Sequence, residues 1–156
     1  NYPVEVIETM TRIIESVEDS PLIKVPISQP QIKNSRYITK SICYHAAQMA
    51  DTINAKAITT LTNSGYTAFQ ISAWRPKSHI LVFTSNRRIL TQLNLLWGVR
   101  AYFYDKLVST DDTIEDINTI CKEKKYVKKG DMVVNLAAMP IVAKGMVNTM
   151  RVSEIE

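Results

Sequence analysis

Apolar positions recur along this chain in two rhythms. Near the start, Val6, Ile7, Met10, Ile13, Ile14 and Val17 follow helical spacing, with Pro3 at the tolerated first turn and Glu5, Glu8, Glu15 and Glu18 on the other face. That pattern predicts an amphipathic helix. Pro21, Pro26 and Pro30 cannot continue it, so the stretch from Glu18 to Gln31 reads as an extended connection. After Ser35 the helical rhythm restarts, because Ile38, Ile42, Ala46, Met49 and Ile53 lie three or four residues apart and predict one buried stripe on a long helix.

From there short apolar runs alternate with helical spacing. Ala57 to Leu61, Ile80 to Thr84 and Val99 to Tyr104 read as strands, Thr67 to Trp74 and Arg87 to Leu96 as helices, the second carrying Leu90 and Leu93. Asp112 with Glu115 three residues on has the form of a capping box for a helix that buries Ile114, Ile117 and Cys121. Met132 to Ala137 and Asn148 to Val152 close the chain as strands. The loop between them is too short for a crossover helix, so this last pair is antiparallel. The predicted fold is α/β, a three-layer sandwich with a mostly parallel five-stranded sheet, its last strand antiparallel and helices on both faces. The predicted organisation is a separate helix over 1–19, a linker over 20–34 and the α/β domain over 35–156. Ligands of such sheets bind beyond the carboxyl ends of the strands, so the loops leading into helices are where chemistry is sought.

A chain of 156 residues suits one core, and composition narrows its setting. A formal charge of +4 and a pI of 9.1 invite nucleic acid as a partner. The basic residues are diffuse, however. The densest run, Lys122, Lys124, Lys125, Lys128 and Lys129, surrounds the end of a predicted helix, where cations complement the dipole, and Tyr126 alone interrupts it. Neither nucleic acid nor membrane is therefore expected as a partner. No apolar run approaches the roughly 18 residues of a membrane span, and the early glutamates argue against a secretory signal. The cytoplasm is the expected compartment. Cys43 and Cys121 are too few for a disulfide framework and read as reduced and buried.

Phosphate-loop, dinucleotide, zinc-protease and nucleophile-elbow motifs are absent from the sequence. His45 and His79 have no second histidine or placed carboxylate nearby and read as structural, and Asp111 and Asp112 read as helix-capping residues. One loop stands out. Thr62, Asn63, Ser64, Gly65, Tyr66 and Thr67 follow a strand and open a helix. Backbone N–H groups at a helix start, a glycine permitting close approach and three hydroxyls suit an anion. The alternative is a plain turn in which Thr62 or Ser64 caps the helix. A second polar turn, Thr84 to Arg87, is expected beside it, with Arg87 a candidate phosphate partner.

At this loop the sequence resembles the C-terminal domain of pyruvate kinases. Ala55-Lys56-Ala57-Ile58, the Thr62 to Thr67 loop, and Ile71-Ser72-Ala73-Trp74-Arg75-Pro76 stand in that family's order. So do Arg88 with Gln92-Leu93-Asn94-Leu95 and Gly98-Val99, then Gly130-Asp131-Met132-Val133-Val134, and Asn148-Thr149-Met150-Arg151-Val152. Tyr2 to Ile7 with Met10 resembles the start of the last helix of the family's catalytic barrel. The resemblance implies a domain that carries no catalytic residues or cofactor of its own, within a glycolytic parent that moves the phosphoryl group of phosphoenolpyruvate to ADP with magnesium and potassium. It implies as partners the parent's barrel, further copies in a homotetramer, and a sugar-phosphate or nucleotide effector. Carried over by position, the effector residues are Thr62, Asn63, Ser64, Gly65 and Thr67, with Lys144 and Gly145 from a second loop, Ala138 to Gly145. Many effector-regulated members have cations where this chain has Asn63 and Tyr66, and a glycine-rich second loop. A monophosphate, a nucleotide or no effector at all then replaces a bisphosphate. The alternative roles are a purely structural oligomerisation domain or, if a base or metal site exists, a small independent transferase or phosphatase.

Overall fold

The computed structural model describes residues 2–18, 20, 36–106, 109–139 and 146–156. The expected linker over 20–34 lies, apart from Ser20, outside the described residues. Five strands form one sheet in the order β3-β2-β1-β4-β5. β1 (Ala57–Leu61), β2 (His79–Thr84), β3 (Val99–Phe103) and β4 (Met132–Ala137) run parallel, and β5 (Thr149–Glu154) is antiparallel to β4. The predicted architecture therefore holds.

Alternating side chains of the sheet feed two cores. Ile58, Ile80, Val82, Val134 and Leu136 meet α2 (Tyr37–Thr52), α3 (Tyr66–Ala73) and Leu93 of α4 (Leu90–Leu93). Ala57, Leu81, Phe83 and Val133 on the opposite face meet Ile117 and Cys121 of α5 (Thr110–Glu123), together with Val127 and Ile155. Burying each of the larger aliphatic chains contributes about 1.5–3 kcal/mol. α1 (Pro3–Glu18) takes no part in either core. None of its residues is buried, and its apolar stripe is exposed, from 47% at Val17 to 64% at Val4. Trp97 Nε1 donates to Glu18 Oε1 at 2.8 Å and ties its last turn to the sheet domain.

Three local expectations are corrected. The buried face of α2 is centred on Thr39, Cys43, Ala46, Ala47 and Ala50, not on the Ile38 stripe; Ile38 is 62% exposed, and Ile42, Met49 and Ile53 pack only at the margin. Small side chains let the helix axis approach closely, and Thr39 then donates to the Val147 carbonyl at 3.0 Å. The helix expected over Arg87 to Leu96 begins as a 3-10 turn, Arg87–Ile89, because the Asn86 side chain accepts from Arg88 N at 3.1 Å. It ends at Leu93, where Asn94 donates to the Leu90 carbonyl and accepts from Ala101 N. Finally, α5 is capped by Ser109. Its Oγ accepts from Asp112 N at 3.1 Å and donates to the Asp112 carboxylate at 2.6 Å, so Asp112 is the returning partner of the box rather than its first residue. Asp111 pairs instead with Arg151 at 2.8 Å.

Around the end of α5, Lys122 donates to the Glu156 carbonyl and Lys124 lies over the Tyr102 ring at 4.7 Å. Both cysteines are free and buried, and burial pushes each thiol up to about 12. No described helix is long and apolar enough to cross a membrane.

Candidate functional site

β1 ends at the carboxyl edge of the sheet, and Thr62 N–H still reaches across to the Phe83 carbonyl at 2.9 Å. The chain then turns through Gly65, which is the N-cap of α3 with a φ of 79°. Two constraints meet there. The backbone lies in the left-handed region, and a Cβ at this position would come within 2.9 Å of Leu93 Cδ2. A core side chain thus independently favours a glycine here.

Thr62 Oγ1 accepts from Gly65 N–H at 3.1 Å, and Ser64 Oγ accepts from Tyr66 N–H at 3.5 Å. These hydroxyls order the turn, and neither caps the helix by the usual bond to its second or third N–H. Gly65, the residue at the cap, has no side chain to do so. No hydrogen bond joins the N–H of Thr67 or Ala68 to another described residue, which leaves donor capacity at the start of α3. The loop's own residues offer hydroxyls, an amide and backbone donors but no carboxylate, imidazole or thiol. Such an arrangement suits an anion.

The second turn lies beside the first, as expected. Asn86 Nδ2 donates to the Asn63 carbonyl at 3.2 Å, and Asn86 N–H donates to Thr84 Oγ1 at 3.1 Å. Arg87 is directed to the Phe103 ring, its guanidinium 3.9 Å from the centroid. Arg36, which the sequence reading passed over, lies over the Tyr66 ring at 4.4 Å. The two are thirty residues apart with no shared motif, so no sequence signal pairs them. Lys144 and Gly145, like the rest of 140–145, lie outside the described residues. The flanks of that segment are joined by a reciprocal pair, Met139 N–H to Asn148 Oδ1 at 2.7 Å and Asn148 Nδ2 to the Met139 carbonyl at 2.8 Å.

The histidines stay apart from the loop. His45 is exposed on α2 with Nδ1 2.7 Å from the Ser41 carbonyl, and His79 packs edge-on against Tyr126. Among the described residues, no group of three or more His, Cys, Asp or Glu could hold a metal ion.

Residues 40–153 match the family model described as "Pyruvate kinase, alpha/beta domain". The chain is 30% identical over 156 residues to a pyruvate kinase of Clostridium acetobutylicum, covering 100% of this chain and 33% of that protein. It is 35% identical over 137 residues to pyruvate kinase 2 of Synechocystis sp., covering 87% of this chain and 22% of that one. The chain thus spans a third or less of the length of these curated relatives. In the solved structures, a pyruvate kinase of Cryptosporidium parvum shares the fold with a TM-score of 0.66 at 24% identity, covering 76% of this chain and 22% of that one.

Proposed function

Because the chain belongs to the pyruvate kinase family, as its α/β domain, we propose that it serves a pyruvate kinase as regulatory and subunit-assembly domain, binding a phosphorylated sugar or nucleotide at the Thr62 to Thr67 loop. In this reading α1 is the last helix of the catalytic barrel, and the connection that follows leads into the regulatory domain. An exposed apolar stripe on α1 agrees with a helix whose packing partner is the barrel. The parent transfers the phosphoryl group of phosphoenolpyruvate to ADP, a glycolytic step, and its magnesium and potassium belong to the barrel.

The observation that carries the effector site is the convergence of two loops beyond the carboxyl ends of β1 and β2, joined by the Asn86 to Asn63 bond, at a helix start with unspent N–H donors. Neutral contacts to phosphate are weaker than charge-assisted ones, about 1 against 1.5–3 kcal/mol, which favours a monophosphate or a nucleotide over a bisphosphate. By the family resemblance alone, Lys144 and Gly145 are counted with the proposed site. Regulation further requires that the ligand bind two quaternary states unequally, since equal affinity shifts nothing.

A second reading, assembly alone, is favoured by the contact between Gly65 and Leu93, which accounts for the glycine without any ligand. Calorimetric titration with fructose 1,6-bisphosphate, glucose 6-phosphate, ribose 5-phosphate and AMP separates the two. Binding of a monophosphate that Ser64→Ala weakens supports regulation. Silence from all four ligands would overturn the effector site and leave assembly.

A further inference from the structure

At the other edge of the sheet, where β1 and β2 begin, a cleft of about 270 Å³ opens between the end of α2 and the segment after α5. Asp51, Asn54, Lys56, Lys77, His79 and Tyr126 supply its polar lining, and Ala50 and Ala55 contribute apolar surface. At roughly 30 Å³ per liquid water, this is room for a ligand of about ten non-hydrogen atoms.

The walls are fixed by backbone bonds. Lys56 N–H donates to the Met132 carbonyl at 2.9 Å, and His79 N–H donates to the Lys56 carbonyl at 3.0 Å. Lys77 N–H donates to Asp51 Oδ1 at 3.2 Å and ties the end of α2 to the approach of β2. Asn54 is held with a φ of 51° at the exit of α2, where Ala55 N–H returns to the Ala50 carbonyl at 2.8 Å.

Hydrogen-bonding capacity converges on this space. The Lys56 ammonium, the Asn54 side-chain amide and the His79 ring have no hydrogen bond or ion pair to other described residues. Tyr126 accepts from Tyr102 at 2.7 Å, which leaves the Tyr126 proton for another acceptor. The His79 and Tyr126 rings brace one another edge-on, 5.4 Å between centroids. Lys56 lines the cleft together with Asp51, whose Oδ1 already accepts the Lys77 N–H. Charge is distributed unevenly across the cleft: Lys56, His79 and Tyr126 offer donors, while Asp51 and the carbonyl end of α2 repel an anion.

The geometry points to a second ligand site here, for a small hydroxylated oxyanion such as a polyol phosphate monoester or a hydroxycarboxylate. Its anionic group sits against Lys56, His79 and Tyr126, where donors are unspent. Its hydroxyls turn toward Asp51 and Asn54, which accept from them. The site lies at the opposite end of β1 from the Thr62 to Thr67 loop and stands or falls independently of it.

The test is an amide chemical-shift titration of the whole chain with glycerol 3-phosphate, glycerate, inorganic phosphate and, as a neutral control, glycerol. The expected result is saturable shifts at Lys56, Lys77, His79 and Tyr126 with glycerol 3-phosphate or glycerate, and none with glycerol. Whichever of the two binds tighter identifies phosphate or carboxylate as the preferred anion. Lys56→Gln, an exposed position that leaves the fold intact, weakens binding roughly tenfold, whereas Ser64→Ala changes nothing. The proposal is overturned by the absence of saturable shifts at millimolar ligand, by shifts confined to Thr62 to Thr67, or by binding that Lys56→Gln leaves unaltered.

Discussion

Leu93 Cδ2 occupies the space into which a Cβ on Gly65 would project, at 2.9 Å. Gly65→Ala therefore meets two costs, about 1–2 kcal/mol for a left-handed backbone and a smaller steric one, since the far end of a leucine can shift. We expect a loss of about 2 kcal/mol in urea unfolding. Leu93→Ala alone removes a buried side chain and costs about 2–5 kcal/mol. Because the steric cost needs both the new Cβ and Leu93, the double variant should lose less than the two single losses added together, by about 0.5–1 kcal/mol. Strict additivity would assign the whole effect of Gly65→Ala to its backbone.

Burial holds the Cys43 and Cys121 thiols at about 12, above their ordinary value near 9. The Tyr104 phenol is likewise raised to about 12, by burial first and then by its bond to Asp116. A raised folded-state pKa means that the unfolded chain releases its proton first. Stability is then fully present below the unfolded values and is lost as pH rises from about 9 through 12. Equilibrium unfolding followed between pH 8 and 12 should show this decline, with Cys43→Ala and Cys121→Ala each removing a share of the part that begins lowest. In the native state at pH 8, neither thiol should react with an aromatic disulfide reagent faster than the protein unfolds.

α1 buries none of its residues, and a helix of this length without tertiary packing is marginal in water. The Trp97 to Glu18 bond holds its last turn, but one hydrogen bond is small beside the cost of ordering a helix, about 1–2 kcal/mol per residue. Amides of residues 3–18 should therefore exchange with deuterium far faster than those of Cys43 to Ala50, which lie under the sheet. Slow exchange along α1 in the isolated chain would show that its apolar stripe has found a partner, such as a second copy.

Where one signal dominated, the fold was legible in the sequence. The short β-runs at Ala57, Ile80, Val99 and Met132 carry their own periodicity, and the loop at Gly65 couples a strand end, a glycine and hydroxyls within six residues. The rotation of α2 was not legible, because hydropathy ranks isoleucine above alanine whereas close packing on a sheet favours the smaller residue. Ser109 was hidden for a different reason: the carboxylate that receives its bond, Asp112, also has the form of a cap. Arg36 over Tyr66, and the cleft around Lys56, gather residues from distant segments with no motif in common. Sequence spacing carries no information about such meetings, since tertiary packing alone creates them.

Thr59 and Thr60 are neighbours on β1, both buried, and should respond to the same substitution with opposite signs. Thr59 Oγ1 donates to Asn135 Oδ1 at 2.7 Å, and Asn135 Nδ2 continues to Ser153 Oγ at 3.0 Å, a polar line across β1, β4 and β5. Thr60 points to the other face, and its hydroxyl has no partner among the described residues. Thr59→Val strands a buried carbonyl oxygen on Asn135 and should cost about 1–3 kcal/mol. Thr60→Val replaces an unsatisfied hydroxyl by a methyl of the same shape and should stabilise by about 1 kcal/mol. Denaturant midpoints at an unchanged slope would check both. Destabilisation by Thr60→Val would mean that its hydroxyl does have a partner in solution, such as a bound water. A neutral Thr59→Val would mean that Asn135 is satisfied without it.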